Sequence, residues 1–386
     1  MELGLLPALG GGLGELRQTG QASRLIEGYL GPYARAFERV WYFSYLPEAF
    51  GDFTEDAELA RSVRVLAPGR RRPRLVRALE MPVRHRREFS RCAIFRVFQL
   101  TGIIPALAAR ARWGKPFVTT YGFWYARLSR PGPSRLAKRV LERVGLRLAA
   151  AVIVTTEELR AHVATITPPE RVHLIPNGVD LARFAPGDRS ASRSGCILYV
   201  GRLSAEKNLS ALVQAAAALR GRAARLLVMI GSGPLRGRLE AEAHAAGVRV
   251  EFPGVVEHQL LPGWLGAADA FVLPSFTEGH PKVLLEAMAA GVPCVASDCP
   301  GNRALVRDGD TGLLFDPRDP PGLAAALERL LSDEALAATL GRRGHELVAR
   351  EYDLRRLVQD EIDLLKRVAQ GSLAPGGGEG QGPLRV

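Results

Sequence analysis

Long apolar runs are missing from this chain. The nearest approach, Ala93 to Ala109, is broken by Arg96 and Gln99, so nothing matches the roughly 18–20 apolar residues that span a bilayer. The N-terminus has neither the basic start nor the apolar block of a secretory signal, and the chain is expected to stay in the cytosol. Cysteine is scarce. Cys92, Cys196, Cys294 and Cys299 lie at no metal-ligand spacing and read as reduced, buried thiols. A metal-binding carboxylate cluster is also lacking. Asp308-Gly309-Asp310, followed by Thr311-Gly312 and a strand-like run, reads as a tight turn. Gly231-Ser232-Gly233 lacks the third glycine of a dinucleotide fingerprint, which argues against a nicotinamide site. No internal repeat is evident beyond a similarity between the two halves.

Charge of one sign is abundant. The formal net charge is +12, and its location matters more than its size. From Arg61 to Arg91 eleven arginines stand against only Glu80 and Glu88. Arg70-Arg71-Arg72-Pro73-Arg74 is too broken by proline for a nucleic-acid-reading helix, and few aromatics interleave it, so no nucleic-acid partner is expected. A basic surface facing anionic lipid fits this stretch. A merely solvated, arginine-rich face fits it equally.

With 386 residues, 47% hydrophobic and 24% charged, the chain can bury the cores of two domains. A helix is predicted from about Gln21 to Phe37. Strand-like runs follow at Val40–Tyr45, Val63–Ala67, Ala93–Phe98, Phe117–Thr120 and Ala151–Val154, with helical segments such as Arg135–Leu148 between them. Thr155 with Glu158 suggests a capping box. The pattern restarts after a Pro/Gly/Ser/Arg-rich linker. Strands are predicted at Cys196–Val200, Leu226–Ile230, Val250–Phe252, Ala270–Leu273, Cys294–Ala296 and Leu313–Phe315, and a helix capped by Asn208 runs to Arg220. Alternating strand and helix over such lengths predicts α/β architecture: two doubly wound, Rossmann-like domains. The expected division is 1–175, a linker 176–195, a second domain 196–350, a C-terminal helix 351–370 packing back toward the first domain, and a disordered tail 371–386.

Ligands of such sheets bind at the carboxyl ends of the strands. Four segments of the second domain end there: Gly201 to Asn208, Gly231 to Pro234, Pro253-Gly254, and Ser275 to Gly279. The last leads through His280-Pro281-Lys282 into an apolar helix that ends before Gly291. Glu278 stands on the loop before that helix and Glu286 inside it. Pro281 suits its first turn and Gly291 the position just past its end. Amides at such a helix start favour an anion. A diphosphate needs fixed cations; Arg202 offers a bidentate group and Lys207 a point charge. Taken singly, these cations would more often be surface charges. Glu286 is harder to dismiss, because a carboxylate among Leu284, Leu285, Ala287 and Met288 must be paired, hydrogen-bonded or beside a cleft.

Together these pieces resemble the retaining nucleotide-sugar glycosyltransferases of the GT-B class, family 4 (glycosyl transferases group 1). The resemblance rests on Ile175 to Asp180 with Phe184 and Pro186, Gly201-Arg202-Leu203 with Lys207-Asn208, and Gly231 to Pro234. It continues through Ala268-Asp269, Leu273-Pro274-Ser275, the Glu278/Glu286 pair and Asp308 to Leu314. It implies a GT-B fold whose domains face a central cleft, and an enzyme transferring a sugar from a nucleoside diphosphate to a glycan, lipid or other hydroxyl acceptor with retention. Arg202, Lys207 and Glu278 would act catalytically, the two cations on the diphosphate and Glu278 on the transferred sugar. Glu286 would hold the ribose. Gly11, Gly12, Gly201, Gly231, Gly233, Gly279, His280, Pro281 and Lys282 would line the donor. No cofactor and no metal is implied. The protein would be cytoplasmic, with room for a peripheral contact on the inner face of the membrane through Arg61–Arg91.

One departure stands out. Many relatives carry a Thr-x-His-Gly-like run where this chain has Thr119-Thr120-Tyr121-Gly122. Tyr121 can hydrogen-bond a sugar but is a poor general base. Phe123, Trp124 and Tyr125 follow, as an acceptor platform, a membrane anchor or an aromatic packing cluster. Two alternatives stay open: an epimerase or phosphorylase on the same scaffold, and a non-catalytic nucleotide-sugar-binding or membrane-scaffold protein.

Overall fold

The computed structural model describes residues 1–69, 72–123, 133–187, 195–219 and 226–372. Arg70, Arg71, Trp124, Tyr125 and the tail from residue 373 onward lie outside the described residues. The chain forms two compact units. One comprises 1–12, 33–175 and the chain from Asp360; the other comprises 13–32 and 176–359.

The first unit holds seven strands: β1 (Glu2–Leu6), β2 (Arg39–Phe43), β3 (Val63–Leu66), β4 (Cys92–Val97), β5 (Phe117–Tyr121), β6 (Ala151–Val154) and β7 (Val172–Leu174). They pair in parallel in the order β3-β2-β1-β4-β5-β6-β7. Strands buried on both faces read as unbroken apolar runs, as β6 does with four buried residues. Phe43, Phe89 and Phe95 knit one side of the core, Phe89 lying 4.3 and 4.9 Å from its two neighbours by ring centroids. In this unit Glu361, from the helix Leu354–Ala369, is buried and accepts from Arg96 and the Tyr33 hydroxyl.

The second unit holds β8 (Cys196–Val200), β9 (Leu226–Ile230), β10 (Val250–Gly254), β11 (Ala270–Leu273), β12 (Cys294–Ser297) and β13 (Leu313–Phe315), all parallel in the order β10-β9-β8-β11-β12-β13. Residues 176–187 are tied into it. The Val179 N–H donates to Tyr352 O at 2.9 Å, Leu354 N–H returns to Val179 O at 3.0 Å, and Phe184 is buried. The segment 13–32 belongs here too. It is helical over Leu13–Gln18 and Ala22–Leu25, then passes through a π-helical turn, Ile26–Leu30.

Two expected caps differ. The helix Glu157–Ala164 is capped by Thr156, whose hydroxyl accepts from Leu159 N–H at 3.3 Å, and the Thr155 hydroxyl is buried without a partner among the described residues. One extra extended residue shifts the cap. Asn208 does precede the helix Leu209–Ala218, but it sits in the left-handed region at φ 54° and caps nothing. Its amide instead donates to Pro317 O at 2.7 Å. The Asp308–Gly312 segment is the expected turn: Gly309 has φ 72°, and its N–H donates to Gly312 O at 2.9 Å. All four cysteines are buried and unbridged.

Candidate active site

Parallel strands point their carboxyl ends one way, so the loops after β8, β9, β10 and β11 gather along one edge of the second sheet. Backbone contacts hold the first two together. Gly201 N–H donates to Ile230 O and Leu203 N–H to Ser232 O, each at 2.9 Å. A Cβ on Gly231 would lie 1.9 Å from Gly201 O, and one on Gly233 2.2 Å from Leu203 O. These glycines are therefore required by loop-against-loop packing, whatever else approaches them. Arg202 and Lys207 rise from the first loop. Arg202 is exposed, and its carbonyl accepts from the Tyr199 hydroxyl at 2.9 Å.

Glu278 is fixed from two sides. Lys207 Nζ lies 2.6 Å from its Oε1, and the Ser275 hydroxyl donates to the same oxygen at 2.6 Å. The Tyr199 phenol is raised well above its usual pKa by burial first, then by Glu278 and Glu206, with Arg202 opposing. Glu278 and Arg202 therefore both flank one buried phenol. Gly301 completes the support, since a Cβ there would come within 2.5 Å of the Glu278 and Gly279 carbonyls.

The helix after this loop spans Lys282–Ala289, with Pro281 extended at its N-cap and Gly291 left-handed just beyond it. Pro281 stands one place before the first turn. His280 does not offer its ring to the edge. The ring is buried, 5.5 Å from the Tyr352 ring, and burial with the charge of Lys282 pushes its pKa down to about 3. The Asn177 amide donates to the His280 carbonyl at 2.7 Å. The amides of Gly279 and His280 donate to no acceptor among the described residues. What the segment presents is backbone. Lys282 Nζ stands 5.8 Å from the Tyr29 ring.

Glu286 has partners that sequence reasoning missed. It is only 3% exposed. Its Oε1 accepts from Arg24 and lies 2.8 Å from His258 Nε2, while Oε2 is buried with no partner among the described residues. Burial alone would raise its pKa, but Arg24 and the hydrogen bond from His258 outweigh it and hold the carboxylate below its usual range. His258 Nε2 lies between two groups, 2.8 Å from Glu286 Oε1 and 3.3 Å from Arg24 Nε, while Nδ1 is buried and unpartnered among the described residues. His258 stands four residues past Gly254, at the carboxyl end of β10. A look beyond the Pro253-Gly254 turn would have reached it. Nothing in the sequence singles out Arg24.

Gly11 and Gly12 belong to the first unit. There Gly11 O accepts from Tyr45 N–H at 3.1 Å, and a Cβ on Gly12 would lie 2.6 Å from the Ser44 hydroxyl. Tyr121 is a correction. Its ring is 1% exposed and its hydroxyl donates to Glu142 Oε1 at 3.0 Å, so it is part of the first core and offers no group to a ligand. Among the described residues, no three His, Cys, Asp or Glu side chains gather as metal ligands.

That edge combines two separately anchored carboxylates, two cations and bare amides beside a helix start, groups suited to sugar hydroxyls and phosphate. Comparison with known proteins gives the family. Residues 187–347 match the family glycosyl transferases group 1, and residues 35–183 match glycosyltransferase family 4. The chain belongs to the family 4 (group 1) glycosyltransferases, with the GT-B fold. Alpha-D-kanosaminyltransferase of Streptomyces kanamyceticus is 35% identical over 230 residues, 55% of this chain and 59% of that protein. A D-inositol 3-phosphate glycosyltransferase of Nocardioides sp. is 30% identical over 303 residues, 70% of this chain and 66% of that one. The alignments span about half to two thirds of these relatives' lengths. The fold of sucrose-phosphate synthase from Thermosynechococcus elongatus superposes with a TM-score of 0.81 at 23% identity, covering 96% of this chain and 100% of that one. Anabaena HepE in complex with UDP-glucose superposes at 0.78 and 19% identity, covering 95% and 99%.

Proposed function

We propose that this chain transfers a sugar from a nucleoside-diphosphate sugar to a hydroxyl acceptor, with retention of anomeric configuration. The observation that carries the reading is the pair Glu278 and Glu286, one before and one within the same helix, anchored by different cations. Arg202 and Lys207 hold the diphosphate, aided by the amides of Gly279 and His280. Glu286, whose Oε2 has no partner among the described residues, holds the ribose hydroxyls, and Glu278 binds hydroxyls of the transferred sugar. The acceptor oxygen attacks the anomeric carbon on the face from which the diphosphate departs. The carbon–oxygen bond to the phosphate breaks, the acceptor proton passes to the leaving phosphate oxygen, and nucleoside diphosphate is released. Positive charge on that phosphate carries the catalysis, without a protein nucleophile or bound metal.

The relatives support transfer chemistry. Besides the two above, a Mycobacterium tuberculosis protein named as a GDP-mannose-dependent phosphatidylinositol monomannoside mannosyltransferase is 31% identical over 250 residues. Their named sugars and acceptors differ, and HepE was solved with UDP-glucose, so the donor is best found by experiment. A thermal-shift screen with UDP-, GDP- and ADP-sugars should show one class stabilising the protein by roughly 2.7 kcal/mol at a hundred times its dissociation constant. Release of nucleoside diphosphate that requires an added acceptor would support transfer. Free epimerised donor or sugar phosphate, formed without acceptor, would instead indicate an epimerase or phosphorylase. Binding with neither transfer nor slow donor hydrolysis would indicate a non-catalytic binding protein.

A further inference from the structure

We infer that one face of the first unit is built to lie on an anionic phospholipid bilayer, an interaction independent of the donor-site reading. The sheet order places the relevant helices together. From β3 to β4, β4 to β5 and β5 to β6 the chain moves in one direction across the sheet, so right-handed crossovers put the intervening helices on the same face. These include Arg74–Arg84, Ile103–Trp113 and Pro133–Leu148, and the middle helix packs against both others.

Each outer helix turns apolar residues outward at four-residue spacing, the wrong way round for a soluble surface. On the first, Leu75, Leu79 and Val83 are 58%, 64% and 75% exposed; on the second, Leu136 and Val140 are 65% and 54% exposed. Val144 and Leu148 continue that second stripe. Cations flank both. Lys138, Arg139, Arg143 and Arg147 are exposed on the second helix, while its one carboxylate, Glu142, is turned inward. Beside the first helix, a cleft lined by Val76, Leu79 and Val83 is also lined by Arg72 and Arg84. Glu80, paired with Arg72, is the one carboxylate among its lining residues.

A stripe of aliphatic side chains edged by long cationic ones suits the interface of a bilayer. The aliphatic groups enter the acyl boundary, and the guanidinium groups reach back to anionic headgroups. Single-sign charge on two helices favours an anionic lipid sheet over a second copy of the chain, which would meet its own arginines. The arrangement also gives the basic stretch Arg61–Arg91 an apolar counterpart that charge counting does not reveal. No helix among the described residues is long and apolar enough to cross a membrane, so the contact is peripheral.

The test is flotation of the full chain with vesicles of pure phosphatidylcholine and with vesicles carrying about 30 mol% phosphatidylglycerol. Wild type should float at least about tenfold better with the anionic vesicles, less so as salt rises. Leu79→Ser with Val83→Ser, and separately Arg139→Ser with Arg143→Ser, should each lower that partition about tenfold or more at an unchanged melting temperature. Equal binding to both vesicle types, or undiminished binding by both variants, would overturn the inference. Loss from only one variant would overturn the two-helix face. A wild-type dimer that Leu79→Ser with Val83→Ser converts to monomer, vesicle binding unaffected, would assign the surface to self-association instead.

Discussion

His258 Nε2 stands 2.8 Å from Glu286 Oε1, and Arg24 closes on the same oxygen from the segment 13–32. A buried carboxylate is thus held below its usual range by Arg24 and His258, while its second oxygen is buried with no partner among the described residues. His258→Ala removes a hydrogen bond to a charged group worth roughly 1.5–3 kcal/mol. Affinity for the nucleotide sugar should fall by about one decade or more in calorimetric titration. His258→Asn, which keeps a donor, should recover part of it. Wild-type affinity in His258→Ala would detach this histidine from the donor site.

Lys207 and Arg202 sit on one loop but are tethered differently, Lys207 on Glu278 and Arg202 on no described carboxylate. Replacing either by Ala should cost roughly 1.5–3 kcal/mol of transition-state stabilisation, one to two decades in kcat/KM. Steady-state kinetics at saturating acceptor would measure it. Unchanged values for both variants would end the diphosphate assignment.

His280 gives a pH signature. Its pKa falls from the usual 6.5 to about 3 through burial and Lys282, so the unfolded chain binds the extra proton between those values. Its contribution is complete above about pH 6.5 and is lost as pH falls toward 3. At pH 5 the loss is about 2 kcal/mol, taking about 1.4 kcal/mol per pH unit. Urea unfolding from pH 7.5 to 5 should show this slope. His280→Phe should flatten it, and an equal slope in that variant would place the titration elsewhere.

Two glycines on neighbouring turns should respond oppositely to alanine. At Gly231 the new Cβ would meet Gly201 O at 1.9 Å with φ at 134°, a clash costing about 2–4 kcal/mol. At Gly237, inside the helix Arg236–Ala245, it meets nothing within 4 Å. Alanine there should add about 0.5–1 kcal/mol through helix propensity. Parallel denaturant melts distinguish the two, and equal effects would refute the loop-packing account.

Tyr121→Phe tests whether the tyrosine of the Thr119–Gly122 run has a catalytic part. Removing its hydroxyl leaves Glu142 Oε1 without that donor, at a cost of about 1–3 kcal/mol. Turnover per folded molecule should be unchanged. A specific drop in kcat would return Tyr121 to the reaction.

Much of this architecture can be read from residues alone, because apolar runs such as Cys196–Val200 and Ala270–Leu273 suit only strands covered on both faces. All six strands of the second sheet begin and end within two residues of their expected boundaries. Less patterned segments were harder. Glu2–Leu6, an interior strand of its sheet, carries Glu2 and Gly4, and a Cβ at Gly4 would collide with the Phe95 ring at 2.5 Å. Cap assignments at Thr155 and Asn208 failed because a single backbone angle, invisible in composition, decides which residue caps.

The sequence by itself determined the alternation of strand and helix, the helix carrying Glu286 with Glu278 on the loop before it, and the cations of the β8 loop. Those follow from local spacing and from the cost of burying an unpaired carboxylate. Tertiary structure alone decided that Arg24, 262 positions away, and His258 meet Glu286. It alone withdrew Tyr121 into a core, and it turned the leucines and valines of two basic helices outward. Such contacts depend on how separate elements pack, and no local propensity encodes that.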